Sequence, residues 1–339
     1  MNTDLIYWIV LSAGILLSAG LFVLSAYQGD LPAGRAAAGF AAGLVLAYFF
    51  AKGMYVMLNL AALQEYGGFA KWFRLEPREL SFAAGGIGFC LGPVLVSLGH
   101  RDSIPRLMDH LAIPGCILAA FVRFGEIFLG DLGLMDLYTV GLPDIPENGI
   151  LARFPFAVSD DFGIWFLAVS TLSAFLFLAV AIYLSRLKQK SRRTAAGMEN
   201  GVIFERGAFL ICSVPFLLEI VRMESLIFYF VHVDQVLCAL VMIAMVIRSS
   251  LRIRKNTGRF PKWPVILTLV FIILNGITQY LMDKPWKFAN LMPEALFRWI
   301  TENLKAFGYI TLLLTVVALV AVFLLLSRKV TLSRREVKT

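Results

Sequence analysis

The hydrophobic residues of this chain form long uninterrupted blocks, without alternation of apolar and polar positions. Nine blocks can be distinguished, each of about 20 residues and so long enough to cross the hydrocarbon layer of a bilayer. Their ranges are 5–26, 37–60, 81–98, 108–130, 162–185, 203–222, 229–249, 263–282 and 307–326. Unbroken apolar runs favour helices over the alternating strands of a barrel. The sequence therefore predicts an all-α, polytopic integral membrane helical bundle with about nine transmembrane helices.

The distribution of Lys and Arg predicts the orientation of these helices in the membrane. The chain has 339 residues, of which 16% are charged, and a formal net charge of +8. With the N-terminus outside, the inward segments carry 19 Lys and Arg residues and the outward segments carry 9. This bias follows the positive-inside rule, so we expect the N-terminus outside and the C-terminus in the cytoplasm. The basic charge is thereby explained by topology, and no nucleic-acid partner is expected.

The connecting segments and the cysteines add little chemistry. The longest outward loop, 131–161, is acidic, and the segment 283–306 mixes aromatic residues with cations. The second segment predicts either a helix lying in the outer interface or a plain connector. All four cysteines fall inside predicted helices at spacings that fit no metal motif, so packing is their expected role. No cofactor and no metal are expected.

Ionisable and amide side chains gather at one predicted depth, just under the outer surface. Arg123 lies about 10 Å below the outer end of the fourth helix, and Glu126 is one turn higher. The set also contains Lys52, Asp131, Glu219, Arg222, His232, Asp234 and Gln235. Charges at membrane depth are costly and are commonly functional, which predicts a polar cavity open to the outer leaflet. The alternative is a structural layer of ion pairs, with Arg123 and Lys52 reaching outward to the headgroups.

Such a layer suits the chemistry of a phospholipid headgroup. The planar fork of arginine binds two phosphate oxygens, and a neighbouring carboxylate can accept a proton. The residues alone therefore suggest a lipid headgroup enzyme without naming its substrate.

Six short stretches around these charges carry a resemblance. They read KGMYVMLN at 52–59, LSFAAGG at 80–86, MDHLAIP at 108–114, RFGEIFLGDLG at 123–133, FLLEIVRME at 216–224 and VDQV at 233–236. In order and spacing they resemble the motifs of the prolipoprotein diacylglyceryl transferase family, whose signature reads R-x-G-N-F-x-N-G-E-x-x-G. The resemblance implies a seven-helix transferase-like membrane core at 1–250. Residues 251–339 would then be an extension with two transmembrane helices and an interfacial segment.

Members of that family move diacylglyceryl from phosphatidylglycerol to the lipobox cysteine of a prolipoprotein signal peptide. The resemblance implies this activity, these two partners and a multi-pass location in a bacterial cell membrane. It also implies that Arg123 holds the lipid phosphate and that Asp131 takes the place of the signature's carboxylate. The charged layer and the motifs together select as catalytic candidates Arg123, Glu126, Asp131 and Glu219. They select as substrate-binding candidates Lys52, Arg222, His232, Asp234 and Gln235.

The chain departs from the family pattern at three positions. Glu126 stands where the signature has asparagine, Pro215 where the family has an arginine, and Ala83 or Ala84 where it has a histidine. These departures keep open a non-catalytic relative that binds a lipid or a lipoprotein. A membrane transporter with an outward polar cavity is the remaining alternative.

Overall fold

The structure, a computed structural model, describes residues 3–60, 74–129, 134–135, 154–159, 165–193, 199–222, 226–228, 231–287 and 293–338. The long helices within these ranges are α1 Thr3–Tyr27, α2 Ala33–Leu58, α3 Phe82–Val96, α4 Ile104–Gly125, α5 Val169–Arg193, α6 Val202–Leu218, α7 Val233–Thr257, α8 Lys262–Asp283 and α9 Glu294–Lys338. Seven of them are long and apolar enough to cross a membrane. The prediction of an all-α, multi-pass membrane bundle is confirmed at this level.

The helices α3 and α6 are shorter than their predicted blocks, with 15 and 17 residues. The helix α3 begins after Ser81, whose hydroxyl accepts a hydrogen bond from the backbone N–H of Ala84. The helix α6 contains Pro215 near its end, where the missing N–H removes one intrahelical hydrogen bond. After Leu218 the chain continues as a 3₁₀ turn at Glu219–Val221.

Short strands occupy parts of two connections. The strands β1 Leu134–Met135, β2 Ala157–Ser159 and β3 Trp165–Ala168 form an antiparallel sheet in the order β1-β3-β2. The strands β4 Ile227–Phe228 and β5 Val231–His232 form an antiparallel hairpin just before α7. Residues 165–168 were predicted to lie in the fifth helix. All four side chains are apolar, so the hydrophobic block alone did not separate this strand from the helix that follows it.

The closest helix packing in the described chain is between α2 and α3, and glycines make it possible. A Cβ built on Gly92 would fall inside van der Waals contact with the backbone of Gly43 and 2.7 Å from the carbonyl oxygen of Gly39. A Cβ on Gly88 would come within 2.5 Å of the carbonyl oxygen of Leu46. Small residues at such positions let two membrane helices approach at backbone distance.

The C-terminal helix α9 packs into the same core as α6 and α7. Its Phe323 stacks on Phe209 of α6, with ring centroids 3.9 Å apart. The same core contains Met242 of α7. Residues 294–306 are the first turns of α9, so this part of the predicted interfacial segment is not a separate helix. Helix-forming residues run from Glu294 into the apolar block without a Pro or a run of glycines to end the helix.

Candidate functional site

Four of the predicted site residues form a closed ring of alternating charges, which we call the charge ring. Arg123 contacts Glu126 at 3.0 Å and Glu219 at 3.4 Å. Arg222 contacts the same two carboxylates, Glu219 at 3.1 Å and Glu126 at 3.3 Å. Each arginine therefore bridges both glutamates, and the ring joins the end of α4 to the end of α6.

Two similar local structures build the ring. The helix α4 ends at Gly125 and passes into the 3₁₀ turn Glu126–Phe128, just as α6 passes into Glu219–Val221. In each case an arginine and a glutamate are three residues apart, a spacing that brings their side chains to the same face. The order is reversed between the two segments, Arg then Glu in one and Glu then Arg in the other. Opposite charges therefore also meet across the two helix ends.

The charge ring is deeply buried. The exposed fractions of the four side chains lie between 3% and 9%. Burying an isolated charge is very costly, whereas a neutral set of paired charges with good geometry recovers most of that cost. The net charge of the ring is zero, which explains how four ionised groups can coexist there.

Three polar atoms next to the ring remain without a hydrogen-bond partner among the described residues. They are Nε of Arg123, Nε of Arg222 and the hydroxyl of Ser170 in α5. These three residues line a small cavity together with both glutamates, Ser173 and Pro215. The cavity has room for about one water molecule. Buried polar groups without partners are rare in folded proteins, and a water molecule or another polar ligand bound in this cavity would satisfy them.

Aromatic residues surround Arg123 of the charge ring. The guanidinium of Arg123 lies 4.3 Å from the ring centroid of Phe82, a cation–π distance. Phe82 in turn stacks on Phe177 of α5 at 5.6 Å. Tyr7 of α1 is buried and lies close enough to Arg123 and Glu126 to interact with both electrostatically. These aromatic side chains give Arg123 apolar surroundings, and electrostatic interactions are stronger in such surroundings than in water.

Asp234 supports the site without belonging to the ring. Its carboxylate accepts hydrogen bonds from the hydroxyl of Ser81 and from the backbone N–H groups of Phe82 at 3.1 Å and Ala83 at 3.3 Å. It therefore satisfies the free donors at the start of α3, as a capping carboxylate does. Because Phe82 covers Arg123, this cap fixes one wall of the site.

The other predicted substrate-binding residues are engaged elsewhere or lie at the margin. Lys52 is buried and forms an ion pair with the partly exposed Glu79, which is not a member of the charge ring. Gln235 donates to the carbonyl of Phe216 at 3.0 Å. His232 is buried at the end of β5, directly before α7. Asp131 lies outside the described residues.

Ser170 and Tyr7 are site residues that the sequence reasoning missed. Both lie in predicted membrane blocks and carry hydroxyl groups. Burying a hydroxyl in lipid costs much less free energy than burying a charge, so these residues did not indicate a functional site. A height estimate for Ser170, near the outer start of the fifth block, would have placed it level with Arg123. No cluster of His, Cys, Asp and Glu among the described residues could hold a metal ion.

Comparison of the chain with known protein families, with characterised proteins and with solved structures finds no match in any of the three. The functional interpretation therefore depends on the charge ring, its cavity and the sequence motifs that contain them.

Proposed function

We propose that this protein is a membrane transferase that moves diacylglyceryl from phosphatidylglycerol to the thiol of a lipobox cysteine. In this reaction a carbon–sulfur bond forms as the carbon–oxygen bond to the phosphate breaks. The products are a thioether and glycerol phosphate, and the thiol proton passes to a carboxylate of the charge ring. The six sequence motifs that resemble the diacylglyceryl transferase family support this choice of reaction.

The observation that carries the proposal is the pair of arginines with unused Nε donors around the cavity. A phosphate bound there would take those donors and the hydroxyl of Ser170, and would compete with the carboxylates for the arginines. A glutamate released from one arginine contact would have an oxygen available to accept the thiol proton. The cavity holds only about one water, so lipid binding requires the ring to open.

The proposal includes a topology and a location. Nine membrane-crossing helices with the N-terminus outside would put the charge ring near the outer leaflet of a bacterial cell membrane. The excess of Lys and Arg on the opposite side supports this orientation. Residues 1–250 would form the transferase core and residues 251–339 its extension.

The test is transfer of labelled diacylglyceryl from phosphatidylglycerol to a synthetic lipobox peptide by the purified protein in lipid nanodiscs. We expect Arg123→Gln to lower the rate at least about a hundredfold, because it removes the donor fork from the phosphate. Arg252→Gln is the matched control, since Arg252 is also paired with a buried carboxylate, that of Glu205 at 2.9 Å. Equal loss of transfer in both well-folded variants would contradict the proposal.

A second function, binding of phosphatidylglycerol without transfer, is favoured by one observation. Each carboxylate of the charge ring contacts two arginines, so its oxygens are already engaged in hydrogen bonds. Copurification of phosphatidylglycerol that is lost in Arg123→Gln, in a protein with no turnover, would establish this function instead.

A further inference from the structure

A chain of amide hydrogen bonds connects α8 to the end of α6, just before the two residues that α6 contributes to the charge ring. Gln279 of α8 donates from Nε2 to Oε1 of Gln235 in α7 at 2.8 Å. Gln235 donates from its own Nε2 to the backbone carbonyl of Phe216 in α6 at 3.0 Å. We call these two bonds the glutamine relay. It crosses three helices, and its central side chain, Gln235, is only 4% exposed.

The relay reaches α6 where that helix has the fewest hydrogen bonds of its own. The last carbonyls of a helix have no intrahelical partner, and Pro215 donates no hydrogen bond to the preceding turn. The carbonyl of Phe216 belongs to this end, and Gln235 supplies its side-chain donor. Glu219 and Arg222, half of the charge ring, follow three and six residues later. The relay therefore anchors the backbone that carries them.

Gln279 has a specific part in this arrangement. A glutamine amide can turn end over end, and only one orientation presents its N–H to Phe216. The carbonyl of Phe216 only accepts, so it fixes Gln235 with Nε2 toward α6 and Oε1 toward α8. Gln279 donates to that Oε1, and without it the relay loses the bond that holds this end of the Gln235 side chain.

We infer that Gln279 is a positioning residue for the charge ring and acts through Gln235. The helix α8, which lies in the predicted C-terminal extension, is then part of the functional unit because it holds the end of α6 in place. The inference builds on the proposed function, in which the charge ring binds the phospholipid. It predicts how firmly the backbone at the end of α6 is held, and this can be measured in a protein that shows no turnover.

The test is hydrogen–deuterium exchange of residues 216–222 in nanodiscs, followed by mass spectrometry. Methionine matches the length of glutamine and makes no amide hydrogen bond, so the variants are Gln279→Met, Gln235→Met and the double variant. We expect exchange about tenfold faster in each single variant, which corresponds to the loss of about one hydrogen bond. The double variant should show no further increase, because both residues act through the same relay. Asn275→Leu is the control. Asn275 lies one turn away in α8 and bonds to Thr315 of α9, so its loss leaves residues 216–222 unchanged.

Transfer gives the second readout. In an active protein we expect Gln279→Met to lower kcat about tenfold and to leave the KM for the lipobox peptide unchanged. Unchanged exchange at 216–222 in Gln279→Met would overturn the inference, whatever the transfer rate. Additive increases in the double variant would also overturn it. Faster exchange in a protein without transfer would support the positioning role and contradict the proposed transferase alone.

Discussion

At the scale of residues, the charge ring brings four ionisable side chains from two helix ends into contact. Arg123, Glu126, Glu219 and Arg222 were predicted at one depth, and they do contact one another. Lys52 was expected beside them, yet its ion-pair partner is Glu79 and not a member of the charge ring. Depth follows from counting residues along one helix, whereas direction depends on how several helices are rotated against each other.

Ser170 supports a prediction at this scale. Its buried hydroxyl has no partner among the described residues and lines the cavity of the charge ring. An unpartnered buried hydroxyl costs roughly 1 kcal/mol or more. We therefore expect Ser170→Ala to raise the free energy of unfolding by about 1 kcal/mol and to slow transfer about tenfold. Denaturant unfolding in detergent and the transfer assay measure the two effects.

The neighbouring residue provides the control for Ser170. The hydroxyl of Thr171 is also buried and without a described partner, but Thr171 does not line the cavity. Thr171→Val should therefore show a similar gain in stability with unchanged transfer. If both variants slowed transfer equally, Ser170 would have no special role at the site.

At the scale of elements, the hydrophobic blocks predicted the helices well and their connections poorly. The apolar block 263–282 matches Lys262–Asp283 almost residue for residue. The strand Trp165–Ala168 was missed, since its pairing with residues 157–159 depends on contacts between separate segments. The cap of α3 was missed for the same reason, because its carboxylate, Asp234, comes about 150 residues later. Local sequence patterns predict which runs form helices. They do not predict which distant residues pair with a strand or cap a helix.

The packing of α2 on α3 gives a prediction at this scale. A methyl group on Gly92 would collide with the backbone of Gly43, which cannot move without separating the helices. We expect Gly92→Ala to lower the free energy of unfolding by about 1–3 kcal/mol, the usual cost of overpacking. Thermal unfolding of the purified protein measures the effect.

Gly86 serves as the matched position in the same helix. A Cβ on Gly86 meets no atom within 4 Å, so Gly86→Ala should leave stability unchanged or raise it slightly through better helix propensity. Equal destabilisation by both substitutions would show that helix α3 responds to any added methyl group, and not to its contact with α2.

At the scale of the whole molecule, the predicted extension and core share one hydrophobic interior. Phe323 of α9 stacks on Phe209 of α6, and Leu326 lies in the same buried cluster. The glutamine relay adds a polar connection from α8 to the end of α6. A division at residue 250 therefore describes the resemblance along the sequence, while the packing joins the two parts.

The orientation of the whole molecule in the membrane depends on whether α3 crosses the bilayer. With 15 residues α3 is about 22 Å long, shorter than the ~30 Å hydrocarbon layer, so its crossing requires local thinning of the bilayer. If it crosses as proposed, residue 60 faces the outside and residue 99 faces the cytoplasm. Leu60 and Gly99 are both exposed, and Gly99 has open space for a side chain.

A labelling experiment on intact cells tests this crossing. In a variant without its four native cysteines, Leu60→Cys should react with a membrane-impermeant maleimide from outside. Gly99→Cys should react only after the membrane is permeabilised. The reverse pattern, with Gly99→Cys labelled from outside and Leu60→Cys labelled only after permeabilisation, would mean that the whole bundle is inverted in the membrane. The charge ring, whose Arg123 lies against Phe82 at the start of α3, would then face the cytoplasm. A lipobox peptide presented at the outer surface could not reach it, so this result would also contradict the proposed transferase.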